Sequence, residues 1–372
     1  MECSLKVAVV GAGVAGLVTA RELLREGHRV VVYEKSNQLG GIWVYDPRVE
    51  PDPLGVDPNR EIVHNTLYYS LRTNLPRDLM GFSDYPFTDR VYCDARNFPG
   101  HAEVLKFIND FAKEFGLIEL VRFETEVVRV ERVKSEEDEW VVESRMTEGS
   151  GEEEFQAVVI CTGHYSEPVV ANIPGIERWP GKQLHSHNYR IPDPFQNQVV
   201  VIIGSGASAI DISKEIASVA KEVHLSSRSP NVKVSKVDNV WQHLENIIFP
   251  SIELQSKWVA RVLSCKAILP SRKEMLADVE EHYRDMEGRG LPKRHTHSIH
   301  PHEVPVIFII LVLYVYYNIE YLDMIADLAG VSPVAERIKE VHRHVFSFLV
   351  SCGTSSGIDI KRFRDEWDPN DV

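Results

Sequence analysis

The sequence predicts an α/β protein built from two dinucleotide-binding units of the Rossmann type. Two stretches support this prediction, residues 7–16 (VAVVGAGVAG) and residues 199–209 (VVVIIGSGASA). Each runs from a short apolar strand through closely spaced small residues into a helical pattern, which is the context that gives a G-x-G-x-x-G motif its meaning. The length of 372 residues also exceeds what one hydrophobic core comfortably holds, so two domains are expected.

The first glycine-rich stretch is expected to bind a pyrophosphate group. Its first glycine allows a tight turn, its second lets the backbone approach the ligand, and its third lets the helix pack on the strand. The start of the helix adds free N–H groups and the positive end of the helix dipole. Strand 29–33 follows, and the carboxylate at its end is placed to accept ribose hydroxyls. The alternative is a glycine-rich turn of some other parallel α/β protein. The predicted binding residues are Gly11, Ala12, Gly13, Val14, Ala15, Gly16 and Glu34.

The second stretch repeats this pattern with the opposite charge at its end. A helix over 208–220 and a strand over 222–225 are predicted, and Arg228 then stands where the first unit has Glu34. At about 4 Å from a 2′-phosphate, a carboxylate costs about 4 kcal/mol at an effective dielectric constant near 20, and a guanidinium gains a similar amount. The first unit is therefore expected to hold FAD, and the second NADPH in preference to NADH. A solvated Arg228 is the alternative. The predicted NADPH-binding residues are Gly204, Ser205, Gly206, Ala207, Ser208, Ala209, Ser227 and Arg228.

Composition excludes several other classes of protein. The formal charge of -14 leaves no basic stripe for nucleic acid. Five scattered cysteines without a C-x-x-C motif favour a reducing, cytoplasmic location and predict neither a disulfide framework nor a metal site. The histidines at 295–302 are interpreted as a solvated tail. The apolar run 306–317 (VIFIILVLYVYY) would cover about 18 Å as a helix against roughly 30 Å of hydrocarbon, so no transmembrane span is predicted.

Several segments between the two units have predicted roles. Gly41, Ile42 and Trp43 are expected at the cofactor, because the double glycine at 40–41 permits close approach and the indole can cover a flat ring. Segment 70–87, which has no clean period, is interpreted as a pocket wall. Further predictions are a helix over 101–115, a β-meander of strands 123–130, 139–144 and 155–160, a solvated loop at 152–154, a linker over 168–194, and a C-terminal helix capped by Ser332 with Pro333 at its first position.

The segment between the two units carries a family resemblance. Trp179, Gly181, His185 and Tyr189 have the spacing of the F-x-G-x-x-x-H-x-x-x-Y/F signature of flavin-containing monooxygenases, with Trp in place of the usual Phe. Together with LGGIW (39–43), TNLPRDLMGFSDYPF (73–87) and ELQSKW (253–258), the chain resembles the plant S-oxygenating subgroup of that family. The domains expected on this basis are a FAD-binding domain (1–165), a truncated NADPH-binding domain (166–246), a return segment to the FAD domain (247–300), and the apolar run with C-terminal helices (301–372).

The resemblance implies an enzyme whose chemistry is carried mainly by the flavin. NADPH reduces FAD, the reduced flavin captures O2, and one oxygen atom passes to a soft nucleophile in a small-molecule substrate, a sulfide or an amine. Thioethers such as methylthioalkyl glucosinolates are the implied substrates. Asn74 is the implied catalytic residue, flanked by Thr73 and Leu75 as cofactor contacts, while His185 and Tyr189 are implied to pack at the join between the nucleotide domains.

The chain departs from the family pattern after its second unit. The segment that completes the NADPH domain in the family is missing between residues 241–243 and 249–251, and the apolar run 306–317 has no counterpart. A single βαβ unit cannot bury both faces of its sheet. The alternative hypothesis is therefore a shortened or alternatively spliced form that is catalytically impaired and acts as a flavin-binding interaction protein. A disulfide reductase is a third interpretation, but it lacks its redox C-x-x-C motif. The sequence predicts no oligomeric state.

Overall fold

A computed structural model describes residues 4–133, 139–146, 149–163, 165–204, 206–226, 248–288 and 319–354. Three groups of residues singled out in the sequence lie outside these ranges. They are the predicted NADPH contacts Ser205, Ser227 and Arg228, the histidines at 295–302, and the apolar run 306–317.

A four-stranded parallel sheet forms the centre of the first unit. Its strands are β1 (Lys6–Val10), β2 (Arg29–Tyr33), β3 (Val121–Arg122) and β7 (Ala157–Ile160), in the order β3-β2-β1-β7. Helices α1 (Val14–Arg25) and α2 (His101–Glu114) contribute to the core on one side. Val7 and Val9 face this core and Ala8 the other side, all with 0% exposure, which explains why the strand reads as a continuous apolar run.

A three-stranded antiparallel sheet covers the other side. It consists of β4 (Glu126–Arg132), β5 (Trp140–Met146) and β6 (Gly149–Phe155). Ala8 and Tyr33 of the parallel sheet are buried against Val142 and Phe155 of this second sheet. The parallel sheet is therefore covered on both faces.

The predicted meander was wrong in its third strand. Residues 149–155, including the acidic run 152–154 that was interpreted as a loop, form β6, and 157–160 form β7 in the parallel sheet instead. The chain changes sheets at Gln156, whose N–H donates to the carbonyl of Lys6 over 3.0 Å. No turn residue marks this change in the sequence. The acidic strand is tolerated because Glu152 and Glu154 are exposed.

The second unit is a single βαβ arrangement in the described part of the chain. β8 (Val199–Ile203) pairs in parallel with β9 (Glu222–Ser226), and α3 (Ala207–Ala217) connects them. Val200, Ile202 and Val223 pack in a cluster with residues of α3. On the opposite face, Val199, Val201 and Ile203 are 52%, 41% and 55% exposed. The part of this unit that the structure describes therefore buries one face of β8 and leaves the other exposed.

The remaining helices return to the first unit. α4 (Ile248–Leu263) packs on α1, where Arg21 donates to Glu253 over 3.1 Å. α5 (Arg272–Gly288) is mostly exposed, residues 319–329 form α6, and α7 is Glu336–Thr354. The predicted cap at Ser332 and Pro333 was wrong by about one turn, because residues 332–335 are not helical, but Val341 and Val345 do dock into the main core. None of the helices in the described ranges is long and apolar enough to cross a membrane.

Segment 70–87, interpreted as a pocket wall, is mostly part of the main core. Most of its apolar side chains, among them Phe82, Tyr85 and Phe87, are buried in the main core. They pack against the aromatic face of α2, with the rings of Phe87 and Phe107 stacked at 4.4 Å. The segment shows no period because its only regular structure is one 3-10 turn, Arg77–Leu79.

A buried ion pair, Arg77–Glu103, supports this segment and was missed in the sequence. The guanidinium and carboxylate groups lie 2.9 Å apart, with side-chain exposures of 4% and 0%. Burial by itself raises the pKa of Glu103, but the N–H groups of Tyr92 and Cys93 and the guanidinium of Arg77 outweigh it and lower the pKa to about 2. The carboxylate is therefore held in its ionised form.

A first prediction concerns His28, which is 3% exposed and ties α4 to the residue that precedes β1. Its Nδ1 accepts from the N–H of Leu5 over 3.1 Å, so its Nε2 carries the proton and faces the carbonyl of Ala260 at 3.3 Å. The substitution His28→Leu leaves both backbone groups without this partner, and should lower the free energy of unfolding by about 1–3 kcal/mol in urea titrations. The matched change at the exposed His224 should stay within about 0.5 kcal/mol of the parent. Equal effects at the two histidines would contradict this role.

A second prediction follows from the low pKa of Glu103. In the unfolded chain its pKa lies near the ordinary value of 4.5, so the unfolded state binds more protons as the pH falls towards 2. The contribution of Glu103 to stability is thus complete above the unfolded pKa and is lost in acid. The stability difference between the parent and Glu103→Gln should therefore shrink between about pH 6 and about pH 3. Glu154→Gln, at an exposed carboxylate, is the control, and a constant difference for Glu103→Gln would refute the prediction.

Candidate functional site

The turn after β1 lies where the ends of β1, β2 and β7 meet, and Gly11 stands at that point. The N–H of Gly11 donates to the carbonyl of Tyr33 over 2.7 Å, and Gly11 has a φ of +107°. A Cβ at Gly11 would lie 2.5 Å from the carbonyl oxygen of Cys161, just beyond β7, and a Cβ at Gly16 would overlap the carbonyl oxygen of Gly11. Only glycine fits these two positions, which is the physical reason for the spacing that the sequence showed.

A second glycine loop faces this turn. The N–H of Gly40 donates to the carbonyl of Ala12 over 3.0 Å, and a Cβ at Gly41 would stand 3.0 Å from the Cα of Gly13. The 3-10 turn Gly41–Trp43 is thereby brought to the start of α1. Ile42 is exposed, whereas Trp43 is partly buried against the main core. The structure therefore brings together the two sets of residues that the sequence placed at one cofactor.

The carboxylate of Glu34 closes one side of the turn. Its Oε2 accepts from the N–H of Ala12 over 2.8 Å, and its Oε1 accepts from the N–H and the hydroxyl of Ser36 over 2.9 and 2.8 Å. These bonds fix the carboxylate at the C-terminal end of β2, beside the glycine turn. A fixed acceptor in this position suits a diol such as a ribose.

The N-terminus of α1 is suited to an anion. Gly13 is its N-cap, no side chain caps the helix, and its first turn contains no acidic residue. The N–H groups of Val14 and Ala15 in the first turn have no partner within the helix, and the dipole of this 12-residue helix points its positive end at the turn. Uncapped N–H groups and two glycine backbones in close approach fit the pyrophosphate of a dinucleotide.

Asn74 lies in a segment that shares the main core with residues of this turn. The neighbouring Thr73 is buried and donates from its N–H to the carbonyl of Pro99 over 2.9 Å, while Leu75 belongs to the core cluster that contains Ala12 and Leu39. The Asn74 side chain is half-buried, and no hydrogen bond links it to another residue in the described ranges. Its amide is thus available as both donor and acceptor.

The turn of the second unit has the same backbone with more open surroundings. Gly204 has a φ of +123° and donates to the carbonyl of Ser226 over 2.8 Å, and α3 begins behind Gly206 without a side-chain cap. Among the described residues, a Cβ at Gly204 or Gly206 would meet no atom within 4 Å. Ser208 is exposed and Ala209 is half-buried at the start of α3. The turn can receive a second anion, but no glycine loop of the described residues closes over it.

The family signature between the units lies at their join. Tyr189 is 2% exposed, and its hydroxyl donates to Glu215 of α3 over 2.8 Å. Tyr68 and Ser70 of the first unit also bond to α3, at Asp211 and Glu215. The Nδ1 of His185 accepts from the N–H of His187, and Trp179 is 47% exposed. These contacts are typical of packing residues and not of an acid–base pair. Within the described ranges, no three His, Cys, Asp or Glu side chains form a metal-binding group.

Comparison with known proteins agrees with this geometry. Residues 4–245 match a family model described as flavin-binding monooxygenase-like. Flavin-containing monooxygenase FMO GS-OX5 of Arabidopsis thaliana is 41% identical over 448 aligned residues, which cover 98% of this chain and 92% of the relative. FMO GS-OX-like 2 of the same plant is 45% identical over 377 aligned residues, covering 79% of this chain and 81% of the relative. The alignment of 448 residues exceeds the 372 of this chain, so gaps stand opposite part of the relative.

Solved structures give the same result. The S-allyl-L-cysteine S-oxygenase from Allium sativum superimposes with a TM-score of 0.84 at 39% identity and covers 100% of this chain and 97% of its own. Tmm from Pelagibacter sp. strain HTCC7211, at 19% identity and a TM-score of 0.70, shares the fold. The chain therefore belongs to the flavin-containing monooxygenase family and groups with its plant S-oxygenating members.

Proposed function

We propose that the protein is a monooxygenase dependent on FAD and NADPH that transfers one oxygen atom from O2 to the sulfur of a small thioether. In the balanced reaction, thioether, O2, NADPH and one proton give sulfoxide, water and NADP⁺. The observation that supports this proposal most directly is the pair of facing glycine loops with Glu34 beside them. The resemblance to an S-allyl-L-cysteine S-oxygenase and to GS-OX enzymes favours thioethers, among them S-alkyl cysteines and methylthioalkyl glucosinolates, over amines.

The residues of the first turn would hold the flavin nucleotide. The backbone from Gly11 to Gly16 would bind the pyrophosphate and Glu34 the ribose hydroxyls, with Gly41–Trp43, Thr73 and Leu75 lining the remainder. When bound, FAD supplies the hydride acceptance and the oxygen activation. The protein contributes position and the exclusion of water. We assign residues 1–165 and 247–300 to this domain, since α4 packs on α1.

Asn74 is proposed as the catalytic residue. A neutral amide donates and accepts hydrogen bonds without changing charge with pH, so it can support the reacting oxygen across a wide pH range. Its half-buried side chain has no protein partner among the described residues, which leaves both functions of the amide for the bound cofactors and oxygen.

The second turn is proposed as the NADPH site, within a domain of residues 166–246. Gly204, Gly206, Ala207, Ser208 and Ala209 would hold its pyrophosphate, together with Ser205, Ser227 and Arg228 from outside the described residues.

One observation favours a second candidate function, a flavin-binding relative with impaired turnover. Within the described ranges, the apolar face of β8 that carries Val199, Val201 and Ile203 is exposed.

Three measurements on the purified protein separate the two functions. They are the FAD retained per chain, the rate of flavin reduction by NADPH without oxygen, and the products formed from sulfides and amines, identified by mass spectrometry. Rapid reduction with sulfoxide formation supports the monooxygenase. Retained FAD without NADPH-driven reduction supports the impaired relative, and a chain that binds no FAD at all refutes both.

A third prediction tests the flavin site through Gly13. A Cβ there would stand 3.5 Å from the Cα of Gly41, an ordinary contact, so Gly13→Ala should fold normally. The added methyl group would occupy the space between the two glycine loops and should weaken FAD binding about tenfold or more, as measured by fluorescence titration. Gly206→Ala makes the same change in the second turn and should leave FAD affinity unaltered. Unchanged FAD affinity in Gly13→Ala would place the flavin elsewhere.

A fourth prediction concerns Asn74. The Asn74→Leu variant should retain FAD but lose about 10²- to 10³-fold in oxygenation, the usual effect of removing one preorganised donor. Sulfoxide formation and FAD content are the measurements. Asn109→Leu, at an exposed asparagine of α2, is the matched control and should behave as the parent does. Full sulfoxidation by Asn74→Leu would remove this residue from the mechanism.

A further inference from the structure

We propose that the buried pair Arg77–Glu103 is a positioning device for Asn74, and that it determines how much of the NADPH consumed ends in oxygen transfer. The inference rests on the role proposed above for Asn74. Neither Arg77 nor Glu103 is placed at the cofactor. Both act on Asn74 indirectly, through the backbone that carries it.

The backbone around Asn74 is held from a single neighbouring stretch, residues 97–101. The N–H of Thr73 donates to the carbonyl of Pro99, and the N–H of Arg77 donates to the carbonyl of Asn97, both over 2.9 Å. An isolated antiparallel bridge joins Arg72 to Gly100. Residues 97–101 therefore hold the backbone on both sides of Asn74, and this fixes the position of its amide group.

The loop that precedes this stretch, residues 90–96, is held by the Arg77–Glu103 ion pair instead of by regular secondary structure. Arg77 donates to the carbonyls of Arg90 and Arg96 over 2.9 and 3.0 Å, and also to the carbonyl of Asp94. Glu103 accepts from the N–H groups of Tyr92, Cys93 and Asp94 over 2.7, 2.9 and 3.0 Å. Six backbone groups of loop 90–96 thus converge on two side chains that bond to each other.

Burial makes this arrangement hard to replace. Phe87 lies under the guanidinium at 4.4 Å, and the carboxylate is fully buried, so no solvent is at hand to take over the bonds. A glutamine at position 103 has one acceptor oxygen and one NH2 donor group. Its partners, three N–H groups and a guanidinium, are all donors, so the NH2 group has no acceptor among them. The loop must then shift, and residues 97–101 shift with it.

The helix that carries Glu103 also supports the second loop of the proposed flavin site. Leu105 lies two residues further along α2, and a Cβ at Gly40 would overlap its side chain. The first turns of α2 therefore set the distance between the Asn74 segment and the loop Gly41–Trp43. A displacement of about 1 Å between catalytic groups can cost about 10²-fold in rate, so a small error in this distance has a large effect.

A second buried pair provides the matched control. Arg21 and Glu253 are also nearly buried, with side-chain exposures of 2% and 4%, and join at 3.1 Å. Glu253 additionally accepts from Ser83. This pair ties α4 to α1 and to Ser83 and does not bond to residues 97–101, so Glu253→Gln makes the same chemical change without altering the contacts that hold the Asn74 backbone.

The experiment compares Glu103→Gln and Glu253→Gln in the full chain loaded with FAD. Both should lower the melting temperature, since Glu103→Gln removes the carboxylate paired with the buried Arg77, and Glu253→Gln removes one of the three carboxylates paired with the buried Arg21. Only Glu103→Gln should lower the sulfoxide formed per NADPH oxidised, by about tenfold or more, with hydrogen peroxide appearing in its place. The rate of flavin reduction by NADPH should remain at the parental value in both variants. Arg77→Lys, which keeps the charge but loses the planar fork, is the milder second variant and should give an intermediate yield.

Hydrogen–deuterium exchange tests the device independently of turnover. The N–H groups of Thr73 and Arg77 should exchange faster in Glu103→Gln than in Glu253→Gln or the parent, even in a preparation that transfers no oxygen. Failure of oxygen transfer in the parent would refute the proposed function alone, because the exchange comparison still decides this inference. Parental exchange at those amides in Glu103→Gln, or equal loss of yield in both glutamine variants, would overturn it.

Discussion

The close approach of two glycine backbones, Gly13 and Gly41, is the constraint on which the flavin unit depends. A Cβ at Gly41 would stand 3.0 Å from the Cα of Gly13, so a side chain at position 41 would press the loop that carries Trp43 away from the start of α1. The same turn lies against the end of β7 through Gly11 and Cys161, so three strands and two loops are fixed relative to one another by the absence of side chains. Such a cradle exists before any ligand arrives, which reduces the ordering cost of binding.

The two units of the chain show what covering a parallel sheet requires. In the first unit, β1 has helices on one face and an antiparallel sheet on the other, and its central residues have no exposure at all. In the second unit, β8 has α3 on one face and leaves Val199, Val201 and Ile203 exposed on the other. The glycine turn keeps its geometry in both units, because the local backbone bonds that define it do not depend on the second face.

Local patterns in the sequence predicted much of the fold and the turns of the candidate site. β1, β2, α1, α2 and α3 follow from apolar runs, glycine spacing and helical periodicity, which are properties of neighbouring residues. The change of sheets at Gln156 was not predictable in this way, because β6 is a run of glycine, serine and glutamate that does not resemble a strand, and no glycine or proline separates it from β7. The Arg77–Glu103 pair was also missed. In a sequence, a buried arginine cannot be told from a surface arginine until its long-range partners are known. The only signal available for this pair was that Arg77 belongs to the motif at residues 73–87.

The edges of the sheets differ in a way that affects how the protein can be handled. β4 carries Glu126, Arg129, Glu131 and Arg132 along its length, and charges of this kind discourage strands of separate molecules from pairing. β8 consists of five uncharged, β-branched residues, three of which project into solvent. This strand lacks the gatekeeper residues that limit aggregation, so concentrated preparations should lose solubility through the second unit while the flavin unit is still intact.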